Sequence, residues 1–197
     1  MGRPSRKEIR QKEIIEGYYK VAKLEGLENT SIAKIAKEMG INPSLIIHYF
    51  ETKDDLTKGL IGYILDKYSE IYHVPPSRKA TRLTRLKFVI DSLISKKWDG
   101  LVDNGIYFSG YALVFRDQVV KEQYKAMHDQ LRSILTALIK DCIDHDEVIV
   151  KDARKAAQLI YMMVDGAYFY LSLINDKKEF DQKLVLFRQH AYEFLGI

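Results

Sequence analysis

Apolar residues recur along this chain at intervals of three and four, and no stretch sustains the two-residue alternation of a half-buried strand. The pattern predicts an all-α fold of about nine helices. Its clearest local unit is residues 30–53, TSIAKIAKEMGINPSLIIHYFETK. Ser31 is placed to cap a short helix whose apolar face is Ile32, Ile35, Ala36 and Met39. Gly40 permits the positive-φ turn that ends it. Asn42 is then an N-cap, and Pro43 takes the first position of a second helix, where its missing N–H is no loss. Ile46 and Phe50, four apart, anchor that helix inward and leave Ser44, Leu45, Ile47, His48 and Tyr49 to look outward. Two helices around a tight glycine turn, with small and polar groups at the exposed start of the second, have the geometry that enters a DNA major groove. The same shape also serves as a plain packing unit.

The remaining helices follow from the same spacing. The first is expected over residues 7–24 and the fourth over 53–72, before Val74-Pro75-Pro76-Ser77 breaks the chain. A fifth, over 80–97, turns Leu83, Leu86, Ile90, Leu93 and Ile94 inward. Asp99-Gly100 and Asn104-Gly105 are turn signals that delay or kink the sixth. The seventh carries one long stripe, Val120, Tyr124, Met127, Leu131, Ile134, Leu138 and Cys142. The eighth, over 151–175, is apolar on two sides. Ala156, Ile160, Met163, Ala167, Tyr170 and Ile174 form one stripe, and Leu159, Met162, Gly166, Phe169 and Leu173 form the other. Such a helix must be covered twice. The second cover is either a second subunit, which is the expectation here, or more of the same chain. The ninth, over 179–195, has a stripe of Phe180, Leu184, Phe187, Ala191 and Phe194.

Charge placement changes the picture more than total charge does. Residues 1–12 hold five basic groups against one acidic, a net of +4, which equals the net charge of the whole 197-residue chain. A basic arm with Gly2-Arg3-Pro4 ahead of the first helix suits a minor groove, which draws Arg into narrow A·T tracts. A solvated tail is the plainer alternative. No apolar run reaches the roughly 18 residues that span a bilayer, and the charged N-terminus is unlike a signal peptide, so a cytoplasmic protein without membrane contact is expected. Cys142 is the single cysteine and excludes an intramolecular disulfide. Gly-rich phosphate loops, metal-spaced His/Cys clusters and nucleophile motifs are missing. No enzyme activity, cofactor or metal is expected, and His145-Asp146-Glu147 reads as a solvated loop.

From Ile14 to Leu60 the chain resembles the DNA-binding domain of the tetracycline-repressor (TetR) family of bacterial regulators. Ile14-Ile15, Gly26, Thr30-Ser31, Ile35-Ala36, Gly40-Ile41, Tyr49-Phe50 and Lys53-Asp54-Asp55-Leu56 carry the resemblance without a gap. It implies a three-helix DNA-binding domain over residues 1–60, followed by an effector-binding and dimerisation domain over 61–197. It further implies a homodimer that places two recognition helices on a palindromic double-stranded operator, released by a small-molecule effector. The DNA contacts expected are Arg3, Arg6, Ser31, Lys34, Asn42, Pro43, Ser44, Leu45, His48, Tyr49 and Lys53, with Leu45 against a thymine methyl. The chain departs from the family at Ile46-Ile47, where Leu-Tyr is usual and the Tyr commonly bonds a backbone phosphate. Ile47 cannot do that.

The expected dimer face is Met163, Gly166, Ala167, Tyr170, Leu184, Phe187 and Ala191. The expected effector site is Trp98, Tyr107, Phe108, Tyr111, Phe115, Met127, Tyr161, Met162, Asp165 and Phe169, which suit a largely apolar or aromatic ligand. Aromatics at helical spacing are also what a filled core contains. Asp165, if buried, needs a partner, either the effector or the second subunit. Two alternatives stay open: a helical small-molecule-binding protein with an idle helix–turn–helix, and a non-specific architectural DNA binder.

Overall fold

The computed structural model describes residues 5–70, 80–97 and 101–197. Among these residues it contains nine α-helices and no strand. They are α1 (Arg6–Glu25), α2 (Ile32–Met39), α3 (Pro43–Tyr49), α4 (Lys53–Ser69), α5 (Arg82–Leu93), α6 (Asn104–Ala112), α7 (Gln118–Ile143), α8 (Ala153–Leu171) and α9 (Lys177–Leu195). A short 3₁₀ turn, Leu113–Phe115, follows α6. Most helix starts carry a side-chain acceptor for orphan backbone N–H groups. Thr81, Asp103, Asp152 and Asp176 cap α5, α6, α8 and α9, and Ser5 and Glu8 close a full capping box on α1. The α5 and α8 ends fall short of the expected spans, and α6 starts at Asn104, so the Asn104-Gly105 pair expected to turn the chain forms the first turn of the helix instead.

The chain folds into two compact units: Met1–Lys67 with Val102–Lys125, and Tyr68–Leu101 with Ala126–Ile197. Two of the three divisions fall inside α4 and α7, and the third precedes α6. In the first unit α1 packs against α2, α3 and α6. Ile14, Tyr18, Ile35, Ile46 and Leu60 are buried there. The Asp103 backbone N–H donates to the Tyr19 hydroxyl at 2.9 Å, tying the start of α6 to α1. Gly110 lets α6 approach α4 closely, since a Cβ there would meet the Ile61 side chain.

In the second unit α9 packs against α8 and α5. Leu86, Ile90, Leu135, Ile139, Ile160 and Ala191 lie in its core. Arg188 and Tyr192 of α9 reach Asp91 of α5, the Tyr192 hydroxyl donating at 2.6 Å.

Candidate nucleic-acid interface

The α2–turn–α3 unit is built by local chemistry. Ser31 Oγ accepts from the Lys34 N–H at 3.3 Å. Gly40 is left-handed (φ 64°, ψ 33°), and its N–H and that of Ile41 return to the Lys37 and Ala36 carbonyls. Asn42 Oδ1 accepts from both the Ser44 N–H (3.0 Å) and the Ser44 hydroxyl (2.9 Å), which sets the first turn of α3. Ile46 and Phe50 are buried against the rest of the unit, and Gln11 of α1 donates to the Tyr49 carbonyl at 3.3 Å. This pins the ends of α3 and leaves one side bare. Asn42, Pro43, Ser44, Ile47 and His48 are exposed. The His48 ring stands edge-on to Tyr49 with centroids 5.0 Å apart. Leu45 and Tyr49, expected outward, are half-buried.

The expected cations differ in availability. Lys53 is exposed at the first residue of α4, where Thr52 Oγ1 accepts from the Asp55 N–H at 3.0 Å and donates to its carboxylate at 2.7 Å. The N–H groups and dipole of that helix end favour an anion beside the ammonium. Arg6 is exposed at the first residue of α1. Ser5 donors hold the Glu8 carboxyl below the usual carboxylate range. Lys34 is committed elsewhere: its ammonium pairs with Glu25 and donates to the Asn29 carbonyl at 2.9 Å. Arg3 lies outside the described residues.

The expected effector residues fall in both units. In the first, Tyr124 donates to the Tyr107 carbonyl at 3.1 Å, and its ring meets those of Tyr107 and Tyr111 at 5.7 and 5.3 Å. Burial pushes the Tyr124 hydroxyl pKa up. Tyr107 belongs to this packed cluster, Phe108 is half-buried, and Phe115 is 80 % exposed. In the second, the Tyr161 hydroxyl and His128 Nδ1 are 3.1 Å apart, and the Arg132 guanidinium lies over the Tyr161 ring at 5.2 Å. Met127 is half-buried and Asp165 is exposed in the single chain. Trp98 lies outside the described residues.

Met162 does not sit with Tyr161. It lines an apolar groove of about 320 Å³ between α8 and α9 with Met163, Gly166, Ala167, Phe187 and His190. That groove holds four of the residues expected at a dimer face. Phe169 is exposed on the same helix, and Tyr170 less so. Of the residues expected there, Ala167, Leu184 and Ala191 are already covered within the single chain. Ile47, expected outward and marked by the resemblance as a lost phosphate contact, is exposed.

Comparison with known proteins converges on this architecture. Residues 14–60 match the family model "Bacterial regulatory proteins, tetR family", and residues 81–197 match "Tetracyclin repressor-like, C-terminal domain". The chain is 23 % identical over 186 residues to the HTH-type transcriptional regulator PksA of Bacillus subtilis, covering 93 % of this chain and 89 % of that protein. It is 24 % identical over 193 residues to the HTH-type transcriptional regulator BetI of Pseudomonas fluorescens, covering 96 % and 92 %. Among solved structures, a TetR transcription regulator from Haloarcula marismortui superposes with a TM-score of 0.82 at 22 % identity, covering 95 % of this chain and 97 % of that one. A transcriptional regulator from Saccharomonospora viridis, solved in complex with choline, gives 0.72 at 16 % identity, covering 95 % and 96 %.

Proposed function

The chain belongs to the tetR family of bacterial regulatory proteins and is a DNA-binding transcriptional regulator, not an enzyme; from that premise we propose that it is a homodimeric repressor released from a palindromic operator by a small-molecule effector. The observation that carries the reading is the open apolar side of α8. Met162 and Phe169 of α8, with Leu173 just past its end, are 52, 59 and 63 % exposed in the single chain, and Val185 and Leu186 of α9 are exposed as well. A second copy covers that side, and twofold symmetry then presents two α3 helices to one face of the duplex. Residues 1–60 carry the DNA contacts in this reading, and the effector and dimer functions lie in 61–197.

The reader's contacts divide by chemistry. Ser31, Tyr49, Lys53, Arg6 and the arm with Arg3 grip phosphates and the minor groove, and Pro43, Ser44 and His48 meet base edges. Aromatic and methionine side chains in both units suit a largely apolar or aromatic effector, and the choline complex of a similar regulator supports a small organic molecule. An effector that favours a conformer with the wrong half-site separation by about 1.4 kcal/mol lowers operator affinity about tenfold. No helix among the described residues is long and apolar enough to cross a membrane. We place the protein in the cytoplasm with its DNA.

The test is selection from random duplexes followed by binding across a salt series. A twofold-symmetric consensus is expected, with affinity falling steeply with salt and the slope reduced by about one per contact in Lys53→Ala. Equal affinity for every duplex overturns the reading in favour of an architectural binder.

A further inference from the structure

We infer that Ile47 reads the C5-methyl group of a thymine in each operator half-site, an assignment that rests on the DNA-reading function proposed above. Three observations on α3 lead to it. The helix is fixed inward by Ile46, which is fully buried, and by Phe50 at its end, so residues 43, 44, 47 and 48 form its outward side. Ile47 is 51 % exposed in the middle of that side, flanked one turn back by Pro43 and Ser44 and followed by His48. Leu45, the other aliphatic group of the helix beside Ile46 and Ile47, is half-buried and so partly used up within its own unit.

The chemistry narrows what Ile47 can meet. Its side chain has no donor or acceptor, so it can satisfy neither a phosphate oxygen nor the N7 and O6 acceptors of guanine. In unmodified DNA the one apolar group on a major-groove base edge is the thymine methyl. A β-branched side chain in a helix keeps essentially one χ1 rotamer, so its methyl groups are presented without much loss of freedom on contact. Against a G·C pair the same side chain would cover polar groups that have no partner, which penalises the wrong base as well as favouring the right one. Ser44 and His48 supply the polar contacts on either side. The Ser44 hydroxyl hydrogen is directed to Asn42 Oδ1, which leaves its oxygen to accept, for example from an adenine or cytosine amino group.

Replacement of each operator thymine in turn by deoxyuridine, which removes the methyl group and nothing else, tests this in the full-length protein by fluorescence anisotropy. One thymine per half-site is expected to show about fourfold weaker binding when its methyl is removed, the worth of one buried methyl group. Ile47→Ala, which keeps native helicity and melting because the site is exposed, binds the thymine and uracil duplexes within about twofold of each other. Ile47→Val keeps the discrimination. A recovered operator for which no thymine is sensitive, or for which Ile47→Ala retains the full penalty, overturns the inference and leaves the DNA-reading function intact. A sensitive position that is a cytosine, tightened by 5-methylation, overturns the thymine assignment. Failure to recover any operator overturns the underlying reading and this inference together.

Discussion

At the residue scale, burial decides which groups keep their solution chemistry. His128 faces the Tyr161 hydroxyl, with Arg132, Asp129 and Asp165 near enough to act on its charge. Burial lowers its pKa from the ordinary 6.5, Asp165 and Asp129 oppose that shift, and Arg132 adds to it. The folded state thus binds fewer protons than the unfolded chain just below that value, so stability falls as pH drops through about 6.5 and is unaffected well above it. Thermal melts from about pH 7.5 to about pH 5.5 should show this loss, with a shallower slope in His128→Gln; equal slopes would mean that the imidazole charges freely in the native state. Cys142 is a parallel case. It is fully buried, and burial together with Glu147 pushes its thiol up to about 11. We expect no reaction with a thiol reagent at neutral pH in the native protein and a full equivalent after denaturation. The packing of Cys142 was legible in its helical spacing. The His128–Tyr161 pairing was not, because the two side chains are 33 positions apart on different helices.

At the element scale, the α2–turn–α3 unit was legible almost residue by residue, since caps and turns are made by neighbours a few positions apart. Gly40 illustrates how little else enters. Nothing lies within 4 Å of a Cβ built there, so Gly40→Ala pays only for the left-handed backbone, about 1 kcal/mol, read as a shift of the denaturation midpoint. Gly110 is different, because an added methyl meets Ile61 and, at 3.1 Å, the Tyr124 hydroxyl. Gly110→Ala should therefore cost more than Gly40→Ala in the same measurement, although its helical backbone is unstrained. The α7 stripe shows where spacing misleads. In its second half Leu135, Ile139 and Cys142 are fully buried, whereas Ile134 and Leu138 of the expected stripe are half-buried. A stripe read in steps of four and three has a period of 3.5, and a helix of 3.6 drifts about 20° per heptad against it.

At the scale of the whole molecule, the double apolar surface of α8 resolves into two different environments. Ala156, Ile160, Val164 and Leu171 are buried within the chain, and Met162, Phe169 and Leu173 are not. Under the proposed dimer, Phe169→Asp should leave the monomer folded and shift sedimentation from dimer to monomer, with loss of operator binding. Ala191→Asp should instead lower the melting temperature, because that position is fully buried within the chain. A Phe169→Asp protein that still sediments as a dimer would place the twofold interface elsewhere.

The sequence by itself determined the helices, their caps, the glycine turn and the outward side of the recognition helix, because all of these depend on contacts within four or so residues. Only the tertiary structure decided that residues 102–125 join the same compact unit as α1–α3, that Lys34 answers Glu25, and that Leu45 and Tyr49 turn partly inward. Helical periodicity states that a stripe must be covered and says nothing of what covers it. Pairings such as Tyr19 with Asp103, 84 positions apart, come from the packing of whole helices, which no local spacing encodes.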